Sequence, residues 1–257
     1  LEALLGLNLA AIGCQFAKGP RAILRASRIA CLAVKPSLPE SSGEVFQELD
    51  KIPVRNLGDI LGEAKCEIKI RTMKYEDGMM PYRDALGLLS ILVLEKPSEV
   101  LEIGTFMGHT TRAMAENLES ARIHTIDLPL GYPIQEDTQG HLPKDDFHLI
   151  SRRVVGREFK NSIFESRIRQ HFGDSATMDF SEMGQPSFFF IDGSHTYEYC
   201  KSDSEKCLAL CPKGGTFLWH DCNGTHPGVV KFINEWRSLG RDVIRIADTD
   251  LGYWKSL

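Results

Sequence analysis

Three residues of this chain have the types and spacing to manage a proton: Asp192, His195 and Asp221. Asp192 follows the apolar run FFFI at residues 188–191, and Asp221 follows TFLWH at residues 216–220. If both runs are central strands, both carboxylates emerge at one rim of one sheet. Converging carboxylates suit a hard divalent cation such as Mg2+. The alternative is that Asp192 contacts a ligand directly while Asp221 orients His195. His195 lies three residues past Asp192, and an imidazole titrating near neutral pH accepts a proton from a hydroxyl. His220 adds a softer donor, provided that it shares the side of the strand used by Asp221.

The elements that must hold these residues are legible around the run VLEIGTFMGHT at residues 100–110. A buried strand ends in Glu102, Gly104 and Gly108 bracket a tight turn, and a helical pattern starts at once. In an open α/β sheet this junction is where ligands bind. Its spacing is G-x-x-x-G, not the G-x-G-x-x-G of a dinucleotide fold, and no Lys-Ser/Thr follows to grip a phosphate. A carboxylate beside the loop suits a cationic or hydroxyl-rich ligand. Asp127 ends the next strand, where it accepts hydrogen bonds from ribose hydroxyls or caps a turn. The tripeptide Gly173-Asp174-Ser175 closes a third strand.

Apolar alternation and runs predict strands at 99–103, 122–127, 167–171, 187–191, 216–220, 243–246 and 251–255. Helical patterns cover 83–95, 110–118, 195–211 and 228–239. Alternating strands and helices imply a doubly wound α/β sheet. Residues 129–165 read as a long irregular excursion, of the kind that serves function in a compact domain. Before residue 78, the sequence reads as one or two helices over 1–34, a Pro/Ser linker at 36–43, a short helix and loops over 44–62, and strand-like alternation at 66–71. The expected division is a helical N-terminal extension, 1–77, and a main domain, 78–257.

Two blocks carry a family resemblance. EIGTFMG at residues 102–108 resembles the first motif of class I S-adenosylmethionine (SAM) dependent methyltransferases, and FFFIDGSH with PKGGTFLWHD resembles their fourth and fifth strands. The closest likeness is to the catechol O-methyltransferase-like group, over roughly residues 78–257. The resemblance implies a seven-stranded, mostly parallel Rossmann-like sheet with its last strand antiparallel. It implies SAM held by Glu102, Gly104, Thr105, Phe106, Gly108, Thr110, Asp127, Asp174, Ser175 and Asp192, with methyl transfer to a hydroxyl of a sugar, polyketide or phenolic small molecule. His195 stands where the group places a lysine base. The group's metal would fall on Asp192 and Asp221 plus an Asn directly after the second Asp, but here that position is Cys222, and Asn223 comes one later. Rival expectations are a metal-independent N- or O-methyltransferase, an NAD-binding oxidoreductase and a non-catalytic SAM-binding scaffold.

Composition sets outer bounds. The chain has 257 residues, 42% hydrophobic and 25% charged, with net charge −5, which describes an ordinary globular protein without an electrostatic footprint for nucleic acid. Seven cysteines without a C-x-x-C pair fit a reducing, cytoplasmic setting better than a disulfide framework. Cys200, Cys207 and Cys211 share one face of a predicted helix and read as core rather than as metal ligands. The apolar start, residues 1–17, is too short and mixed to span a membrane. The N-terminal region is expected either to cover the acceptor pocket or to build a homodimer interface.

Overall fold

The structure, a computed structural model, describes residues 42–70, 73, 76, 78–132 and 153–257. The expected helices of 1–34, the linker at 36–41 and most of the 129–165 excursion lie outside the described residues. Residues 39–257 form one compact unit.

Eight strands make one sheet: β1 (Val54–Arg55), β2 (Glu99–Ile103), β3 (Arg122–Asp127), β4 (Ile168–Phe172), β5 (Phe188–Ile191), β6 (Thr216–Trp219), β7 (Ile244–Ile246) and β8 (Gly252–Lys255). Their spatial order is β1-β7-β8-β6-β5-β2-β3-β4. All neighbours run parallel except β8, which is antiparallel to both β6 and β7. The expected seven strands are therefore joined by an eighth, a two-residue edge strand from before residue 78. The alternating stretch at 66–70 is not a strand; it runs irregularly, and Asn117 pairs with the Lys69 backbone on both sides. Alternation alone is met equally by a segment lying along a helix end.

The chain leaves β2, builds outward through β3 and β4, and returns to place β5 on the other side of β2. This is the topological switch point, and a crevice opens there beyond the carboxyl ends of the strands. Strand β5 explains itself: Phe188-Phe189-Phe190-Ile191 is buried throughout, as a central parallel strand with two covered faces must be. Phe188 and Phe190 pack with α3 (Tyr82–Glu95) and α4 (His109–Asn117), whereas Phe189 and Ile191 face the core that holds α5 (Tyr197–Leu210) and α6 (Pro227–Ser238). Helix α1 (Ser42–Asp50) packs on α6, and α2 (Leu57–Leu61) on α3. Cys200 and Cys207 are buried in the α5–α6 core with Cys211 packed beside them, as small apolar residues of a helix face.

Candidate active site at the carboxyl rim of the sheet

The glycine loop is shaped by contact with β5. Gly104 has φ 99°, and a methyl group added to it would lie 1.9 Å from the carbonyl oxygen of Asp192. Only glycine lets the two strand ends come so close. Gly108, φ 85°, caps α4, and a methyl there would meet the Phe159 ring at 2.7 Å.

Glu102 is fully buried under this loop. Its Oε2 accepts hydrogen bonds from Thr125 (2.6 Å) and Thr111, while Oε1 has no partner. Burial pushes the carboxyl up to about 8, against the pull of the two threonine hydroxyls. Thr105 does not face outward: its hydroxyl lies 2.7 Å from that of Thr125 and accepts from Gln170 at 3.0 Å, so it props the loop from beneath. Phe106, at φ 49°, donates its amide to Asp127 Oδ2 at 2.7 Å. Thr110 is half-buried in the first turn of α4.

Asp127 also accepts from the Leu128 amide and from Arg153, a guanidinium only 5% exposed. Burial raises the Asp127 carboxyl, and Arg153 and the two amides only partly offset that. Asp174 folds a turn by accepting from the Ala176 amide at 2.9 Å. The same turn is gripped by Lys206 of α5, whose ammonium donates to the carbonyls of Ser175, Ala176 (2.7 Å) and Met178 (3.0 Å). Asp203, also on α5 and fully buried beside Ser175, is pushed up to about 7 by burial.

At the neighbouring strand ends the acids are surrounded by histidines. His195 Nε2 lies 2.8 Å from Asp221 Oδ2. His226 Nδ1 lies 3.4 Å from Asp221 Oδ1, and its ring centroid is 4.4 Å from that of His195. His220 Nδ1 sits 3.1 Å from both Asp192 Oδ1 and Asp221 Oδ2, and its Nε2 is 3.1 Å from Asp84 Oδ2. Burial opposes a charged His220 ring, but Asp192, Asp221 and Asp84 outweigh it and hold its pKa well above the ordinary value. Burial likewise opposes the Asp221 carboxylate, but hydrogen bonds from His195 and His220 hold it far below the usual range. Asp221 takes φ 56°, a left-handed conformation that is tolerated by Asp and turns its carboxylate back over the rim.

The structure thus brings Asp192, His195 and Asp221 together, and places Glu102, Asp127 and the Asp174 turn at successive strand ends beside them. Several participants are not evident from the sequence: Asp84, Arg153, Asp203, Lys206 and His226. For Asp84 and Asp203 there was a signal, an acid on the apolar face of a helix. Period two settles the side of His220, because it follows Leu218 onto the α3 face of the sheet. Tyr197 turns to Glu235 rather than to this rim.

Three groups of donors lie within 4.8 Å of one another among the described residues: His195, Asp221 and His226; Asp192, His220 and Asp221; and Glu76, His109 and Glu158. None is the all-oxygen set that Mg2+ prefers. The third ligand position of the resembled pattern is Cys222, 1% exposed and packed in the core, its thiol pushed up to about 12 by burial. The amide oxygen of Asn223 is engaged by the Thr225 amide (2.9 Å) and hydroxyl (2.7 Å). A hard divalent cation therefore does not fit these residues.

Residues 101–222 match the family model described as a methyltransferase domain. Among solved structures, the chain is similar to a putative caffeoyl-CoA O-methyltransferase from Staphylococcus aureus: 13% identity, 83% of this chain and 90% of that one covered, TM-score 0.51. It also matches an O-methyltransferase from Bacillus cereus in complex with SAH (14%, 86% and 92%, 0.46). A third match is an SAH-bound methyltransferase from Podospora anserina (17%, 87% and 98%, 0.47). None of the curated proteins matches.

Proposed function

We propose that this chain is a class I SAM-dependent methyltransferase of the catechol O-methyltransferase-like group, that it moves a methyl group to a hydroxyl of a small molecule, and that it uses His195 as the proton acceptor; the methyltransferase-domain match over residues 101–222 supports the reading. The observation that carries the reading is the His195–Asp221 contact of 2.8 Å at the ends of β5 and β6, where β5 also meets the glycine loop through Asp192. With Nε2–H donated to Asp221, Nδ1 carries the lone pair. As the acceptor oxygen attacks the methyl carbon, the sulfur–methyl bond breaks, and the hydroxyl proton passes to Nδ1. Asp221 then stabilises the imidazolium, the role of the buried acid in a nucleophile–histidine–acid array. The sulfonium is already activated, so alignment of oxygen, methyl and sulfur supplies most of the remaining rate.

The cofactor lies along the strand ends. Glu102 and the loop residues Gly104, Thr105, Phe106 and Gly108, with Thr110, take the methionine moiety; the partnerless, buried Oε1 of Glu102 is the group in want of a cation. Asp127 takes the ribose, and to do so Arg153 must share or release Oδ1. Asp174 and Ser175 take the adenine, and Asp192 borders the transferring methyl. The catalytic domain is assigned to residues 78–257, with 1–77 as its extension.

A sugar, polyketide or phenolic hydroxyl fits a rim that offers His195 as a base. No helix among the described residues is long and apolar enough to cross a membrane. The five described cysteines are free, which supports a reducing, cytoplasmic setting. The test is turnover: purified protein with labelled SAM against a panel of hydroxyl acceptors. Methyl transfer that is lost in His195→Ala, with SAM still bound, supports the reading. SAM binding without transfer to any hydroxyl, but with transfer to amines, would overturn it.

A further inference from the structure

Resting on the reading of Asp127 as the acid that takes the ribose, we propose that Arg153 is a latch on the cofactor site: its guanidinium fills the carboxylate position that one ribose hydroxyl needs, and the cofactor enters by displacing it.

The argument is a count of lone pairs. A carboxylate offers about four acceptor sites, two on each oxygen. Asp127 Oδ1 accepts from the Leu128 amide at 2.7 Å and from Arg153 Nη2, so both of its sites are taken. Oδ2 accepts from the Phe106 amide at 2.7 Å and keeps one site open among the described residues. A vicinal diol that binds a carboxylate through both hydroxyls sets one on each oxygen. The first hydroxyl finds the open site of Oδ2. The second meets Arg153.

Holding the acid in place does not require the arginine. Two main-chain amides, one on each oxygen, already fix the carboxylate; Phe106 belongs to the glycine loop, and Leu128 follows the last residue of β3. What Arg153 adds is charge. Its side chain is 5% exposed and that of Asp127 is 11% exposed, so the contact is a largely buried ion pair. Charge-assisted bonds of this kind are about twice as strong as neutral ones, and a hydroxyl must compete with one. Only the fraction of molecules with Arg153 released offers the whole carboxylate, and the apparent affinity for the cofactor is lowered by that fraction.

The latch has somewhere to go. Nη2 also donates to the Leu128 carbonyl at 3.3 Å, a second acceptor that it keeps when it leaves Oδ1. Three residues on, the chain is tied to the glycine loop: the Gly156 amide donates to the Phe106 carbonyl at 3.0 Å, and the Glu158 amide to the Met107 carbonyl at 2.9 Å. Phe106 therefore grips the acid through its amide and, through its carbonyl, the segment that carries the latch. Release of Arg153 is a side-chain movement against a fixed loop.

The experiment is calorimetric titration of the purified protein with S-adenosylhomocysteine and with its 2′,3′-dideoxy analogue, which has no hydroxyl to compete for Oδ1. Arg153→Met keeps an apolar stem and removes the charge. It is expected to bind S-adenosylhomocysteine about tenfold more tightly than the wild type, and the dideoxy analogue within about twofold of the wild type. Weaker or unchanged S-adenosylhomocysteine binding in folded Arg153→Met would overturn the proposal, because the arginine would then support the ribose contact or have no part in it. An equal gain for both ligands would overturn it too, since Arg153 would then act on the site at large and not on the diol. A measurement on the wild type stands apart from the folding of that variant: 15N NMR of the arginine side chains, with the Arg153 signal assigned through Arg153→Lys. A guanidinium held rigid in the free protein and with the dideoxy analogue, and mobilised by S-adenosylhomocysteine, is expected; one that S-adenosylhomocysteine leaves unchanged contradicts the latch. The reading beneath the proposal fails separately: wild-type protein and Asp127→Asn that each bind the two ligands equally well would show that Asp127 does not take the ribose.

Discussion

Glu102 and Asp221 are both acids held out of water at the carboxyl rim of one sheet, yet they are driven in opposite directions. Glu102 has only hydroxyl donors and is pushed up to about 8, whereas Asp221 has His195 and His220 beside it and is held far below the usual range. Burial acts the same way on both; the neighbours decide the sign. The β2 side of the rim thus lacks a cation and is built to receive one with its ligand. The β6 side surrounds its acid with imidazole nitrogens and is suited to handle a proton. A methyl-transfer site needs this division, with a positively charged cofactor on one side and an acceptor to be deprotonated on the other.

The comparison breaks hardest where the two sides touch. Gly104→Ala puts a methyl 1.9 Å from the Asp192 carbonyl. It is expected to abolish SAM binding in calorimetry, a loss of more than about 100-fold, through forced separation of β2 from β5. A variant that binds SAM normally would show that the close approach of β2 and β5 is not needed to hold the cofactor.

His195→Ala is expected to lower kcat by about 10²–10⁴ while SAM affinity stays within about threefold, because a general base contributes to the reaction and not to cofactor binding. A loss confined to KM would remove His195 from the proton path.

Glu102→Gln tests the other side. With its carboxyl pushed up to about 8, Glu102 holds its proton at pH 7, so the proposed pairing with the SAM ammonium requires it to lose that proton. Calorimetry in buffers of differing ionisation heat is expected to show about one proton released on SAM binding in the wild type and none in Glu102→Gln. The sign for stability follows from the same raised value. Native Glu102 keeps a proton that the unfolded chain gives up near its ordinary pKa. Stability therefore falls as pH rises from about 4.5 to about 8, and it levels off above. Denaturant melts are expected to show that slope in the wild type and a flatter one in Glu102→Gln; equal slopes would mean Glu102 is ionised in the free protein.

The smallest effect is expected at the turn of Asp174 and Ser175, proposed to meet the adenine. Lys206→Met removes three donors to carbonyls of residues 175–178. It is expected to weaken SAM binding about three- to tenfold with kcat unchanged, in line with net hydrogen-bond contributions of about 1 kcal/mol. An unchanged dissociation constant would make the lysine a stabiliser of the turn alone.

How much of this was legible follows from how local each signal is. The β2 loop, β5 and their terminal acids were readable because an apolar run, a glycine and an acid lie within a dozen residues of one another. Strand β1 was not: Val54 and Arg55 are exposed, and only pairing with Arg245 and Ile246 makes them a strand. The alternation at 66–70 misled for the converse reason, since among the described residues no partner strand meets it. His220 was ambiguous until the parity of β6 and the position of Asp84 were known, and the second is a contact between residues 136 apart in the chain. Arg153 on Asp127 depends on how the chain returns after the long excursion, which no local pattern records.

The most direct test of the central claim is a calorimetric titration of the metal-free protein with SAM, run beside Glu102→Ala. Saturable binding in the wild type without added Mg2+, lost in the variant, is the predicted result. No SAM heat from folded wild-type protein, or binding that appears only when Mg2+ is supplied, would contradict it.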